Sequence, residues 1–236
     1  MKHLLMLAML LTSAACGVSE RAKDDAPPIA PDKVLDFASL FAQNCSGCHG
    51  ISGRGGAAAQ LADPVYLAVA DDAAITRITS AGVSGTAMPA FAQNSGGMLT
   101  DQQIGVIVRG MRSKWARPDV LAGIDPPPYA ASQPGDPQRG AAAVERYCSS
   151  CHGAQGRGGP HASSIVDPSY LQLVSDQALR TAIIVGRPDL GAPDWRGDVP
   201  GRPMTPQEIS DVVAWLAAQR PSPGNFTALR MPGGTR

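Results

Sequence analysis

The chain has 236 residues, long for one compact domain and comfortable for two small ones. Twenty basic and twenty acidic side chains cancel, which excludes a basic footprint for nucleic acid and any strong pull toward an anionic surface. Aromatic residues make up only 5% of the chain, against 26 glycines and 21 prolines, so two such domains would have thin cores and would want a staple such as a metal or a large bound cofactor.

Met1-Lys2-His3 and the apolar run from Leu4 to Leu11 predict a secretory signal peptide over residues 1–15, too short to cross a bilayer as a helix. Thr12-Ser13-Ala14-Ala15-Cys16 resembles a bacterial lipobox, with Ser13 in place of the usual leucine. That resemblance implies that Cys16 is lipidated and becomes the first residue of the mature chain; the other reading is an ordinary cleavage near Ala15, with Cys16 removed or left as a lone thiol. Residues 16–34 are polar and contain proline, and read as a flexible tether.

A helix predicted from Asp36 to Asn44 leads into Cys45-Ser46-Gly47-Cys48-His49. A second helix, from Pro137 to Tyr147, leads into Cys148-Ser149-Ser150-Cys151-His152. Two thiols three residues apart on one helical turn can form thioethers to the two vinyl groups of a haem, and the adjacent histidine offers its imidazole to the iron. Two covalently bound haems are therefore expected, through Cys45, Cys48, Cys148 and Cys151, with His49 and His152 on the metal. The rival readings are one four-cysteine zinc cluster, a redox-active dithiol and a plain disulfide. Covalent haem attachment takes place outside the cytoplasm, which agrees with an exported chain.

The two motifs belong to an internal duplication. Gly53-Arg54-Gly55-Gly56 matches Gly156-Arg157-Gly158-Gly159, and Asp63-Pro64-Val65-Tyr66-Leu67 matches Asp167-Pro168-Ser169-Tyr170-Leu171. Pro89-Ala90-Phe91 matches Pro193-Asp194-Trp195, and the segment opening on Thr100 matches the one opening on Thr205. Each copy is expected to hold a middle helix, near Asp71 to Thr79 or Ser175 to Val185. Each then ends in a threonine-capped amphipathic helix. Its apolar stripe is Ile104, Ile107, Val108 and Met111 in one copy, and Ile209, Val212, Val213 and Leu216 in the other. The copies occupy residues 35–116 and 137–220; residues 117–136 read as a Pro-rich linker and 221–236 as a disordered tail.

The haem motif behind an amino-terminal helix, then Ala87-Met88-Pro89-Ala90-Phe91, then a Thr-capped terminal helix, resembles class I cytochrome c in both copies. The resemblance implies an all-α fold of two tandem haem domains, with the first and last helices of each crossing near the haem edge. It also implies a methionine sulfur opposite the histidine, and in the first copy Met88 stands in that context, with Met98 in reserve. In the second copy Ala192 is in register with Met88 and cannot bind iron. Met204, just before Thr205, could supply the sulfur; His161 could supply a second imidazole; or the site could be open.

The expected function is single-electron transfer between a membrane-bound respiratory or dehydrogenase complex and a terminal acceptor or soluble carrier. It would take place in the periplasm or at the outer face of a bacterial membrane, with the chain anchored by lipid at Cys16. The alternatives are a dihaem peroxidase-like enzyme and a gas-binding or sensing subunit, both using an open second haem. No residue outside the haem motifs stands out as catalytic, His161 being the only histidine left for acid–base work.

Overall fold

A computed structural model describes residues 29–221 apart from 198 and 200. The signal segment, Cys16, most of the tether and residues 222–236 lie outside the described residues. Among the described residues every regular element is a helix, and no helix is long and apolar enough to cross a membrane.

The first module runs α1 (Phe37–Asn44), α2 (Ser46–His49), α3 (Pro64–Val69), α4 (Asp72–Ala81) and α5 (Asp101–Trp115). The second repeats it as α6 (Pro137–Tyr147), α7 (Ser149–His152), α8 (Pro168–Leu173), α9 (Asp176–Val185) and α10 (Pro206–Ala218). Side-chain caps fix where these helices begin. Asp36, Asp63 and Asp71 cap the first module's α1, α3 and α4, and Asp136, Asp167 and Ser175 cap their counterparts. Thr100 with Gln103 and Thr205 with Glu208 form full capping boxes on α5 and α10. The four-residue helices α2 and α7 have no side-chain cap, because each continues the preceding helix through Cys45 or Cys148.

The stripes expected from the sequence face inward. Ile104, Ile107, Val108 and Met111 are buried on α5, and Ile209, Val212, Val213 and Leu216 on α10. Full burial of such side chains contributes roughly 1.5–3 kcal/mol each. In the first module α1 packs on α5, with the rings of Phe37 and Phe41 set edge-on to Trp115 at centroid distances of 5.5 and 5.0 Å. In the second α6 packs on α10, and the contact is polar as well as apolar. The buried Asp211 carboxylate accepts hydrogen bonds from the Asp136 N–H at 2.7 Å, Arg139 Nε at 2.8 Å and Gln207 Nε2 at 2.9 Å.

Two segments read from the sequence as a tether and a linker are held down. Residues 31–34, the end of the expected tether, are tied to α5 by Gln103, whose side-chain amide donates to the carbonyls of Pro31 (2.8 Å) and Val34 (3.1 Å). In the Pro-rich segment, the Pro128 and Tyr129 carbonyls accept from the Arg180 guanidinium on α9 at 2.8 and 3.0 Å, and Tyr129 also accepts from Gln177. Arg180 is only 2% exposed, so these carbonyls do the work that water would otherwise do for its charge. The Tyr129 ring meets buried Tyr66 of α3 edge-on at 6.4 Å, and α3 itself packs on α9. The linker is therefore a strap that seals one module against the other.

Candidate cofactor sites

In each module α2 or α7 presents Cys-x-x-Cys-His as a single helical turn, and the following glycine reverses the chain. Gly50 and Gly153 have φ of +82° and +71°, and a Cβ there would lie 1.8 Å from the Arg54 carbonyl oxygen or 2.2 Å from that of Gly158. Only glycine fits either place.

The reversal brings the returning loop behind the histidine. His49 Nδ1 is 2.7 Å from the Ala59 carbonyl oxygen, and His152 Nδ1 is 2.6 Å from that of Ser163. A carbonyl only accepts, so Nδ1 carries a proton in both rings, and the neutral form of each ring has its lone pair on Nε2, where a metal would bind. Burial pushes the His49 imidazole below its ordinary pKa, against the opposing effect of the Ala59 carbonyl, and so favours the neutral form that ligates. The two carbonyls were not legible in the sequence, because any residue type could have supplied them.

The rival readings of the cysteines fare poorly. Among the described residues no three His, Cys, Asp or Glu side chains gather to hold a metal, so the two pairs do not form one zinc cluster. Cys45 and Cys48 are not joined by a disulfide. Burial pushes the Cys45 thiol up to about 11, with Cys48 beside it adding to the shift, whereas redox-active and metal-binding cysteines are thiolates with depressed values. The donor set fits haem c: two thiols on one turn and an oriented imidazole next to them.

Residues 32–109 match the family model described as cytochrome c oxidase, cbb3-type, subunit III, and residues 137–219 match the one described as cytochrome c. The chain is a tandem of two cytochrome c domains. Such domains carry covalently bound haem c, and two domains with two cysteine pairs fit two haems. No curated protein matches the chain. Similar solved structures include a c-type cytochrome, 20% identical over 35% of this chain and 98% of its own, with a TM-score of 0.29. A reducing HAO-like protein complex from Kuenenia stuttgartiensis is 16% identical over 82% of this chain and 98% of its own, at 0.43. Thiosulfate dehydrogenase from Marichromatium purpuratum is 21% identical over 87% of this chain at 0.30, and this chain spans half of its length.

The remaining candidates are distributed unevenly over the two cytochrome c domains. Met88 is half-buried on the loop between α4 and α5, whereas Met98 is 82% exposed. Met204 is buried and followed at once by the α10 cap, and His161 is exposed on the loop before α8. The arginines of the glycine-rich loops have partners within the protein: Arg54 donates to the Ala62 carbonyl and Arg157 to Gln155. One structural pair went unseen in the sequence. Arg112 donates to the Leu67 and Ala70 carbonyls and pairs with Asp72, while Arg220 does the same for Leu171, Val174 and Asp176. The two arginines are out of register in the duplication, so aligning the copies does not pair them.

Proposed function

We propose that this cytochrome is a dihaem electron carrier in which Cys45 and Cys48 hold one haem and Cys148 and Cys151 the other, with His49 and His152 as proximal ligands and Met88 as the distal ligand of the first. The observation that carries this reading is the duplicated histidine geometry, in which a loop carbonyl holds Nδ1 and leaves Nε2 facing away from it. Haem iron supplies a one-electron couple when bound. The Ala59 and Ser163 carbonyls fix the tautomer and plane of each imidazole and make it a stronger donor. The Met88 thioether, soft and neutral, favours the reduced state and raises the potential of its site.

The balanced charge of the chain suits docking to redox partners through apolar contact rather than long-range steering. Those partners are a membrane-bound respiratory or dehydrogenase complex on one side and a terminal acceptor or soluble carrier on the other. The lipobox-like sequence supports anchoring through Cys16 at the outer, periplasmic face of a bacterial membrane. The substitution Cys16→Ser should move the holoprotein from the membrane to the soluble fraction; a variant that stays with the membrane contradicts lipid anchoring.

Met88→Ala tests the ligand set. It should lower one of two reduction potentials by on the order of 0.1 V, within the roughly 0.8 V range that axial ligands cover, and leave the other unchanged. Two unmoved potentials would remove Met88 from the iron.

A further inference from the structure

We infer that the distal side of the second haem lacks a protein ligand and binds a neutral diatomic molecule of the carbon monoxide or nitric oxide class. The inference rests on the dihaem reading above.

The two distal loops correspond at their start and at their closure, although the second also contains a 3-10 turn, Pro188–Leu190. Each begins at a left-handed glycine, Gly82 with φ of +67° or Gly186 with φ of +69°. A Cβ on either would strike the chain just after the ligand position, 2.6 Å from Ala90 N and 2.3 Å from Pro193 O. Each then closes through a corresponding hydrogen bond, from Val83 N to Met88 O at 3.0 Å and from Arg187 N to Ala192 O at 2.9 Å, and in the second loop Ala192 N also donates back to Arg187 O at 3.0 Å. Ala192 therefore stands where Met88 stands, with a methyl group in place of a thioether.

Met204 has a different place, that of Leu99. Leu99 N donates to Phe91 O and Met204 N to Trp195 O, both at 2.8 Å, and Phe91 and Trp195 are themselves counterparts. Leu99 is 5% exposed and Met204 8%, both within the hydrophobic core. The next residue in each case is the threonine of a capping box, which pins the backbone from the other side. In the first domain this slot holds a side chain that cannot ligate, and in the second Met204 fills it as packing.

His161 is on the wrong side. Ser163, two residues on, is the residue whose carbonyl takes the His152 Nδ1 proton, so this loop lies behind the proximal imidazole. From residue 137 to 220 there is no other methionine or histidine and no lysine. Among the described residues of the loop, the carboxylates of Asp189 and Asp194 are engaged, with Arg187 and Arg196 respectively. With both of these paired, the described residues favour ligand binding over cleavage of peroxide, which needs a free acid or base.

The test is carbon monoxide titration of the reduced, full-length holoprotein, with covalent haem counted per chain beforehand. The expected result is two haems and one carbon monoxide bound per chain. Binding should fall at least tenfold in Ala192→Met and stay unchanged in Met204→Leu, a substitution that keeps the core apolar. Two haems with no carbon monoxide bound overturns the inference, and binding that appears only in Met204→Leu or His161→Ala names the ligand that defeats it. Fewer than two covalent haems overturns the dihaem reading itself, and the inference with it.

Discussion

The double substitution Cys148→Ala with Cys151→Ala should halve the covalent haem content and leave the second domain unable to hold its fold, while the first keeps its haem and its spectrum. The second domain has a small core, in which Tyr147 and Trp195 are the buried aromatic side chains. A core of that size supplies only about 3–5 kcal/mol in a domain near this length. Thioether attachment makes the prosthetic group a permanent part of that core, and its loss removes more packing than any single side chain could. The α6–α10 contact, Asp211 included, would remain, but without the mass it is built around. Heterogeneous digestion by trypsin confined to residues beyond about 137 is the expected signature of the collapse. Two haems surviving extraction under denaturing conditions would show that these cysteines are not the attachment points.

Asp211→Ala should be strongly destabilising for a single polar substitution away from the haem motifs. This carboxylate gathers the Asp136 N–H, Arg139 and Gln207 in a buried place, and so ties the start of α6 to the middle of α10. Burial pushes its pKa up, but Arg139, the Asp136 N–H and Gln207 together outweigh burial and hold it below the ordinary carboxylate range. Arg139 is 58% exposed and regains water when the partner is lost, so the ion pair itself contributes little. Most of the cost comes from the donors left without an acceptor, about 2–3 kcal/mol in total, or a fall of roughly 10–20 °C in the melting temperature of the second domain. Asp211→Asn, which keeps an acceptor oxygen, should cost about 1 kcal/mol. Because the folded pKa is depressed, this stabilisation is complete above the unfolded value of about 3.9 and is lost as pH falls through the folded one. A melting temperature within about 2 °C of the parent at neutral pH would remove Asp211 from this role.

The parts of this architecture that were legible in the sequence are those carried by local chemistry. Cys45, Cys48 and His49 form one turn, Thr100 and Gln103 close one capping box, and the stripe from Ile104 to Met111 has a helical period; each needs only its neighbours in the chain. The helices at Pro64–Val69 and Pro168–Leu173 were visible only as a repeated sequence, because six residues are too few to show a period, though the Asp-Pro that opens each is a cap followed by a first-turn proline. The docking of residues 128–129 depends on Arg180 and Gln177, some fifty residues away, and nothing in a run of prolines announces such partners. Proline content signalled a linker and left open whether it spans a gap or lies against a surface. At the metal sites, the replacement of Met88 by Ala192 followed from aligning the copies. The roles of Ala59 and Ser163 did not, since they act through backbone carbonyls, and a backbone carbonyl has no residue-type signature.

The central claim, two covalent haems that each pass one electron, is tested most directly by a potentiometric titration of the mature protein with haem quantified per chain. Two haems that stay with the denatured chain, and two reversible one-electron transitions with the higher assigned to the Met88 site, are the predicted result. A chain that holds one haem or none, or whose haems do not cycle reversibly, would contradict it.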